Sequence, residues 1–239
     1  MTLLSISPED RAVGAYLGLA VGDALGATVE FMTPREIRAQ CGVHAKLVGG
    51  GWLRLKPGQV TDDTTMSLAL GDALLEVQGI DAGTIARHYD NWMRGKPVDI
   101  GNTVRRGLLY FRKCGETAVP LNEHDGGNGA CMRTLPIALA TLGHAEEVVR
   151  HGVEVQAHIT HNNPLSDAGT WCVVSMVQAA LNGAAISELN KGPVQELIAA
   201  HPEFAFRRKK PNQNPSGFIV HTLRVVFEAF FNTDRKSVV

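Results

Sequence analysis

The chain is short of several things, and each shortage excludes something. It has four cysteines in 239 residues: Cys41, Cys114, Cys131 and Cys172. They are far apart and form no CxxC pair, so neither a zinc ribbon nor a dithiol redox motif is expected. Free thiols in a reducing compartment are the expectation. Charge of one sign is also missing. The formal net charge is −1, so bulk charge implies no nucleic-acid partner. The one basic run, Arg207 to Lys210, leads into Pro-Asn-Gln-Asn-Pro and reads as a solvated loop. No apolar run approaches the ~18 residues that a membrane helix needs. The opening stretch MTLLSISPEDR has no basic segment followed by a long apolar one, so no signal peptide is expected. These absences predict a cytoplasmic protein with no integral membrane segment.

Strand patterning is missing too. The best candidate, Leu47–Leu55 (LVGGGWLRL), carries three glycines and reads as a loop. No internal repeat or low-complexity tract is visible. What the chain has is helical periodicity. Ser7-Pro8-Glu9-Asp10 has the order of a helix start: a capping serine, proline at the first position, acids in the first turn. Val13, Leu17, Val21 and Leu25 then recur every four residues, as do Gly14, Gly18 and Gly22. Glycine weakens a helix, so three at one spacing predict close packing against a neighbour. Further helices are predicted over Thr65–Val77, Ala82–Met93, Val104–Lys113, Cys131–Leu142 with a bend near Pro136, Glu146–Ala157, Asp167–Leu181, Pro193–Ala200 and Gly217–Phe231. The expected class is all-α, with residues 1–239 forming one compact multi-helix domain.

The polar residues of interest lie between these helices. Thr61, Asp62 and Asp63 precede a helix, where acids gain from its dipole. Alternatively they form one face of a site for Mg2+ or Mn2+, which take oxygen ligands. Asp99 precedes Gly101, Asn102 and Thr103. Either Asn102 or Thr103 is expected to cap the next helix, which leaves Asp99 free as a general acid or base. The loop from Asp125 to Met132 is a glycine-rich turn or a backbone cradle for phosphate. Its spacing matches neither the P-loop nor the dinucleotide fingerprint. His158 and His161 are packing or capping residues, or ligands lacking a third partner. Ser166 reads as a helix cap.

Five segments occur in register: GAYLGLAVGDALGATVEF, TDDTTMSLAL, PVDIGNTVRRG, GGNGACMR and ITHNNPLSDAG. Together they resemble the successive motifs of the ADP-ribosylglycohydrolases, from about Arg11 to Asp234. The loop GGGWLRLKPGQVTDDT is similar to that of members acting on dinitrogenase reductase.

The resemblance implies an all-helical hydrolase with a binuclear Mn2+ or Mg2+ centre. Such an enzyme cleaves the N-glycosidic bond between ADP-ribose and an arginine side chain, and so reactivates nitrogenase. It implies Thr61, Asp62 and Asp63 as metal ligands. Asp99 becomes the acid/base group, and Glu30 sits in the cleft near the ribose. Gly101 and Asn102 shape the ribose pocket. Asp125, Gly126, Gly127, Asn128, Gly129 and Met132 hold the diphosphate and neighbouring ribose, and His161 lines the site. The implied partners are ADP-ribosylated dinitrogenase reductase and a PII-type signalling protein, which can bring such an enzyme to the membrane periphery.

One departure stands out. The family's late Gly-Gly-Asp-x-Asp-Thr motif does not occur in these 239 residues. Asp234 lacks that context and is not taken as a ligand. The domain is therefore expected to be incomplete at its C-terminal end, with the second metal site lost and apolar surface exposed. The alternative to an active hydrolase is a catalytically impaired ADP-ribose-binding remnant.

Overall fold

The computed structural model describes residues 6–206 and 215–232. The basic run Arg207–Lys210 and Asp234 lie outside the described residues. Every regular element among the described residues is helical, as expected, and β-structure is limited to two single bridges, Gly50–Leu55 and Gly127–Phe218. The helices are α1 (Pro8–Gly26), α2 (Pro34–Cys41), α3 (Asp62–Val77), α4 (Ala82–Arg94), α5 (Asn102–Cys114), α6 (Gly129–Met132), α7 (Leu135–Ala140), α8 (Glu146–His158) and α9 (Pro164–Leu181). After them come α10 (Ile186–Leu189), a π turn (Asn190–Val194), α11 (Gln195–Ala200), a 3-10 turn (Pro202–Phe204) and α12 (Ile219–Asn232). None of these helices is long and apolar enough to cross a membrane.

Local side chains cap the starts of α1, α2, α4 and α9. In α1 the Ser7 hydroxyl accepts the Asp10 amide at 3.1 Å. The capping box that begins α2, Thr33 with Glu36 and Pro34 between them, was not read from the sequence. The start of α9 corrects an expectation. Its cap is Asn163, whose side-chain oxygen accepts the amides of Leu165 and Ser166, while Ser166 is buried inside the helix. At α5 neither Asn102 nor Thr103 is the cap. Gly101 holds that position without a side-chain bond, and the Thr103 hydroxyl donates to Asp125 at 2.8 Å. The segment expected as one bent helix is divided into α6 and α7, with Pro136 in the first turn of α7.

The expected close packing of the α1 glycines is not found. Val13 and Leu17 are 60% and 62% exposed, and a side chain added at Gly14, Gly18 or Gly22 would meet nothing within 4 Å. This face of α1 is open, and the opposite side rests on α3, α7 and α9. Two buried clusters form the interior. The larger joins α3, α4, α5, α7, α8 and α9 through residues such as Leu70, Ile85, Leu108, Ile137, Val153 and Val174. The smaller joins Cys172 of α9 to Val194, Leu197, Phe204, Ile219, Leu223 and Phe227. Each of these large aliphatic or aromatic side chains contributes ~1.5–3 kcal/mol by burial. Helix α9 belongs to both clusters, so it fixes α12 against the main bundle.

Candidate active site

The interhelical segments converge. Asp62 and Asp63 begin α3, Asp99 and Gly101 precede α5, which opens with Asn102, and His161 precedes α9. These residues line one cavity of about 630 Å3, together with Glu30, Asp125, Gly126, Gly127, Asn128, Gly129 and Met132. That volume lies within the ~300–1,000 Å3 usual for small-molecule sites. Thr61 is the exception among the site residues that the family resemblance implies. It is buried, and its hydroxyl donates to Asp23 at 2.8 Å rather than lining the cavity.

Asp23, on α1, was not read from the sequence. Its carboxylate accepts the Thr61 amide and hydroxyl, then the Thr64 amide at 3.1 Å and the Thr64 hydroxyl at 2.6 Å. It therefore caps α3 from another helix, doing the work that a local cap residue usually does. This cap holds the Asp62-Asp63 pair against the cavity. Burial and crowding by like charge act on both acids. Asp62 is pushed up to about 6 by burial first and then by Asp99. Asp63 is pushed up to about 7 by burial, then by Asp62 and Asp23. Glu30 is also raised, chiefly by burial, against the lowering effect of the Trp52 indole that donates to it at 2.8 Å.

Crowded carboxylate oxygens that resist ionisation are the donor chemistry a hard divalent cation fits. The number of donors is smaller than a full coordination sphere. Among the described residues, no three His, Cys, Asp or Glu side chains converge as a group able to hold a metal. Asp62 and Asp63 thus fit an ion in kind and supply part of its ligands.

The glycine loop is shaped by His161. A side-chain carbon at Gly129 would sit 2.6 Å from His161 Cε1, and one at Gly127 would sit 3.0 Å from Nε2. Any larger residue would push the loop off the ring. On its other side the loop is pinned to the segment before α12: the Asn128 amide donates to the Gly217 carbonyl and the Ile219 amide to the Gly126 carbonyl. Helix α6 is a single turn, so the cradle comes from this pinned loop rather than from a long helix. Gly217 and Phe218 line the cavity and were not anticipated. Nor was Phe31, which sits at the rim with φ 63°, its ring 5.5 Å from Trp52. A positive φ is rare for a bulky residue and marks stored strain.

Beneath the loop lies Arg133, fully buried. It donates to Gln156 and to the Thr160 hydroxyl, and it stacks over Tyr89 with 4.4 Å to the ring centre. Burial, followed by the charges of Arg133 and Arg106, pushes His161 down to about 3. His161 is therefore neutral in the folded chain. A depressed histidine adds stability that is full above its ordinary value near 6.5 and is lost as pH falls toward 3. The raised values of Asp62 and Asp63 act with the opposite sign, so the comparison must be made against His161→Asn. Between pH 7 and pH 5, urea unfolding of the parent should lose about 2 kcal/mol relative to that variant. Parallel pH profiles for the two chains would refute it.

The sequence profile described as ADP-ribosylglycohydrolase matches residues 4–235. The chain belongs to the ADP-ribosylglycohydrolase family. It is 49% identical to the ADP-ribosyl-[dinitrogen reductase] glycohydrolase of Rhodospirillum rubrum, over 95% of this chain and 76% of that protein. It is 32% identical to ADP-ribosylarginine hydrolase Tri1 of Pseudomonas putida, over 96% of this chain and 64% of that one. A solved structure titled "ADP-ribosylglycohydrolase-related protein complex" superposes with a TM-score of 0.81 at 30% identity, over 96% of this chain and 77% of that one. This ADP-ribosylglycohydrolase thus spans under two thirds of the Pseudomonas relative and about three quarters of the other two. The family is one of hydrolases, and the all-helical fold is shared.

Proposed function

We propose that the chain hydrolyses the N-glycosidic bond between ADP-ribose and an arginine side chain, with ADP-ribosylated dinitrogenase reductase as the protein substrate. The observation that carries this reading is the convergence of five carboxylates, Glu30, Asp62, Asp63, Asp99 and Asp125, and the glycine loop on one cavity. The substrate follows from similarity to the Rhodospirillum rubrum protein. The loop Gly126–Gly129, pressed on His161 and pinned to Gly217, holds the diphosphate. Asn102 and Gly101 bound the ribose. Asp99 is half-buried, and one of its oxygens accepts the Ile100 amide at 2.7 Å, which fixes the carboxylate at the cavity wall. It takes a proton from the attacking water. The remaining carboxylates stabilise the positive charge that develops at the sugar carbon as the arginine departs. Asp62 and Asp63 would hold Mn2+ or Mg2+, which supplies neutralisation of the acid pair and polarisation of sugar hydroxyls.

A second reading rests on the same donor count. With no three-ligand group among the described residues, the chain would bind ADP-ribose without turning it over. The test is release of ADP-ribose from an ADP-ribosylated arginine peptide by the 239-residue chain, with excess Mn2+ and with chelator. Release that chelator abolishes supports the hydrolase. Absence of release from a folded chain that still binds ADP-ribose supports the binder, and loss of both overturns the nucleotide reading.

A further inference from the structure

Arg133 has no role in the mechanism above, yet its placement is costly. A guanidinium taken fully out of water costs several kcal/mol unless its donors are satisfied, and an apolar side chain of similar volume is often as stable or more so. Arg133 has no ion-pair partner among the described residues. Its donors go instead to neutral acceptors. Nε donates to Gln156 Oε1 at 2.9 Å, and Nη2 donates to the Gln156 carbonyl at 2.7 Å and to Thr160 Oγ1 at 2.9 Å. Gln156 in turn donates to the Ala130 carbonyl at 3.1 Å, which ties the group to the end of the glycine loop.

The important link is the last one. Thr160 Oγ1 lies 2.8 Å from His161 Nδ1. Arginine only donates, so Thr160 Oγ1 accepts from it and retains its own proton. Thr160 is buried, and His161 Nδ1 is the only acceptor within its reach among the described residues. If Nδ1 carried the proton, the threonine hydroxyl hydrogen would have no partner, at a cost of about 1–3 kcal/mol. The accounting therefore leaves Nδ1 as acceptor and places the hydrogen on Nε2. Nε2 is the ring nitrogen against Gly127 and Gly129, at the cavity wall.

We propose that Arg133 is a positioning residue: through Thr160 it fixes His161 as the Nε2–H tautomer, so that a neutral N–H donor faces the cavity. Such a donor suits the phosphate or hydroxyl oxygens of a nucleotide sugar, and this part rests on the ADP-ribose reading above. The tautomer itself does not.

The test uses the full chain with 15N-labelled histidine. Long-range 15N–1H correlation identifies which ring nitrogen of His161 carries the hydrogen, and ADP-ribose affinity is measured by calorimetry. The expected result is Nε2–H in the parent. Thr160→Val should release the tautomer toward a mixture and weaken ADP-ribose by about tenfold, the loss of one well-placed hydrogen bond. Thr160→Ser should restore both. Arg133→Met should shift the tautomer in the same direction, and Thr160→Val carries the test if that chain does not fold. Nδ1–H in the parent, or a Thr160→Val chain with tautomer and affinity unchanged, overturns the relay. Nε2–H in a parent that binds no ADP-ribose overturns the nucleotide reading and leaves the relay standing.

Discussion

Replacing Asp99 by asparagine should lower the rate of ADP-ribose release by ~10²–10⁴-fold, the usual contribution of a general acid or base. The substitution keeps the side-chain oxygen that accepts the Ile100 amide. The loop and the bound nucleotide should therefore stay in place, and ADP-ribose affinity should change by less than about threefold. Single-turnover kinetics with saturating Mn2+ separate the two quantities. A rate within a factor of five of the parent would remove Asp99 from the proton transfer. The base would then have to be sought at Glu30, which faces the same cavity from the rim.

The second large effect is on stability. Asp23→Ala removes the acceptor for the amides and hydroxyls of Thr61 and Thr64. Both threonines are buried at 5% exposure, so water does not readily replace the lost carboxylate. Bonds to a charged acceptor contribute about 1.5–3 kcal/mol and a helix cap about 1 kcal/mol, so a loss of roughly 3–4 kcal/mol is expected. For a chain of this size that corresponds to a fall in Tm of roughly 10 °C. Asp23→Asn should fall between the two, since the amide retains one oxygen. A Tm shift below 2 °C for Asp23→Ala would mean that α3 is held by its packing alone.

These residues also show where the sequence could be read and where it could not. The long helices with regular apolar spacing are legible, because period and burial coincide in α4, α5 and α8. Apolar spacing puts the start of α3 at Thr65 rather than Asp62, because its cap comes from α1, 38 residues before Thr61. A cap in trans leaves no local pattern. The stripe on α1 was legible as a stripe, but periodicity does not say whether a face meets a neighbour. The candidate site was readable as four separate motifs, each with an ordinary structural explanation. Their convergence depends on how α3, α5 and α9 pack, and the resemblance to a family carried that information. Asp23, Phe31, Phe218 and Arg133 carried no spacing signal. Arg133 becomes conspicuous only once its complete burial is known.

The pinning of the glycine loop has a consequence for motion. Two backbone bonds join Asn128 to Gly217 and Ile219 to Gly126, so the loop and the start of α12 open together or not at all. In hydrogen-exchange terms they form one cooperative unit, and the amides of Asn128 and Ile219 share an opening free energy. A ligand seated on the loop would slow exchange at the first turn of α12, although most of that helix lies away from the cavity. The last described helix thus acts as a remote reporter of occupancy.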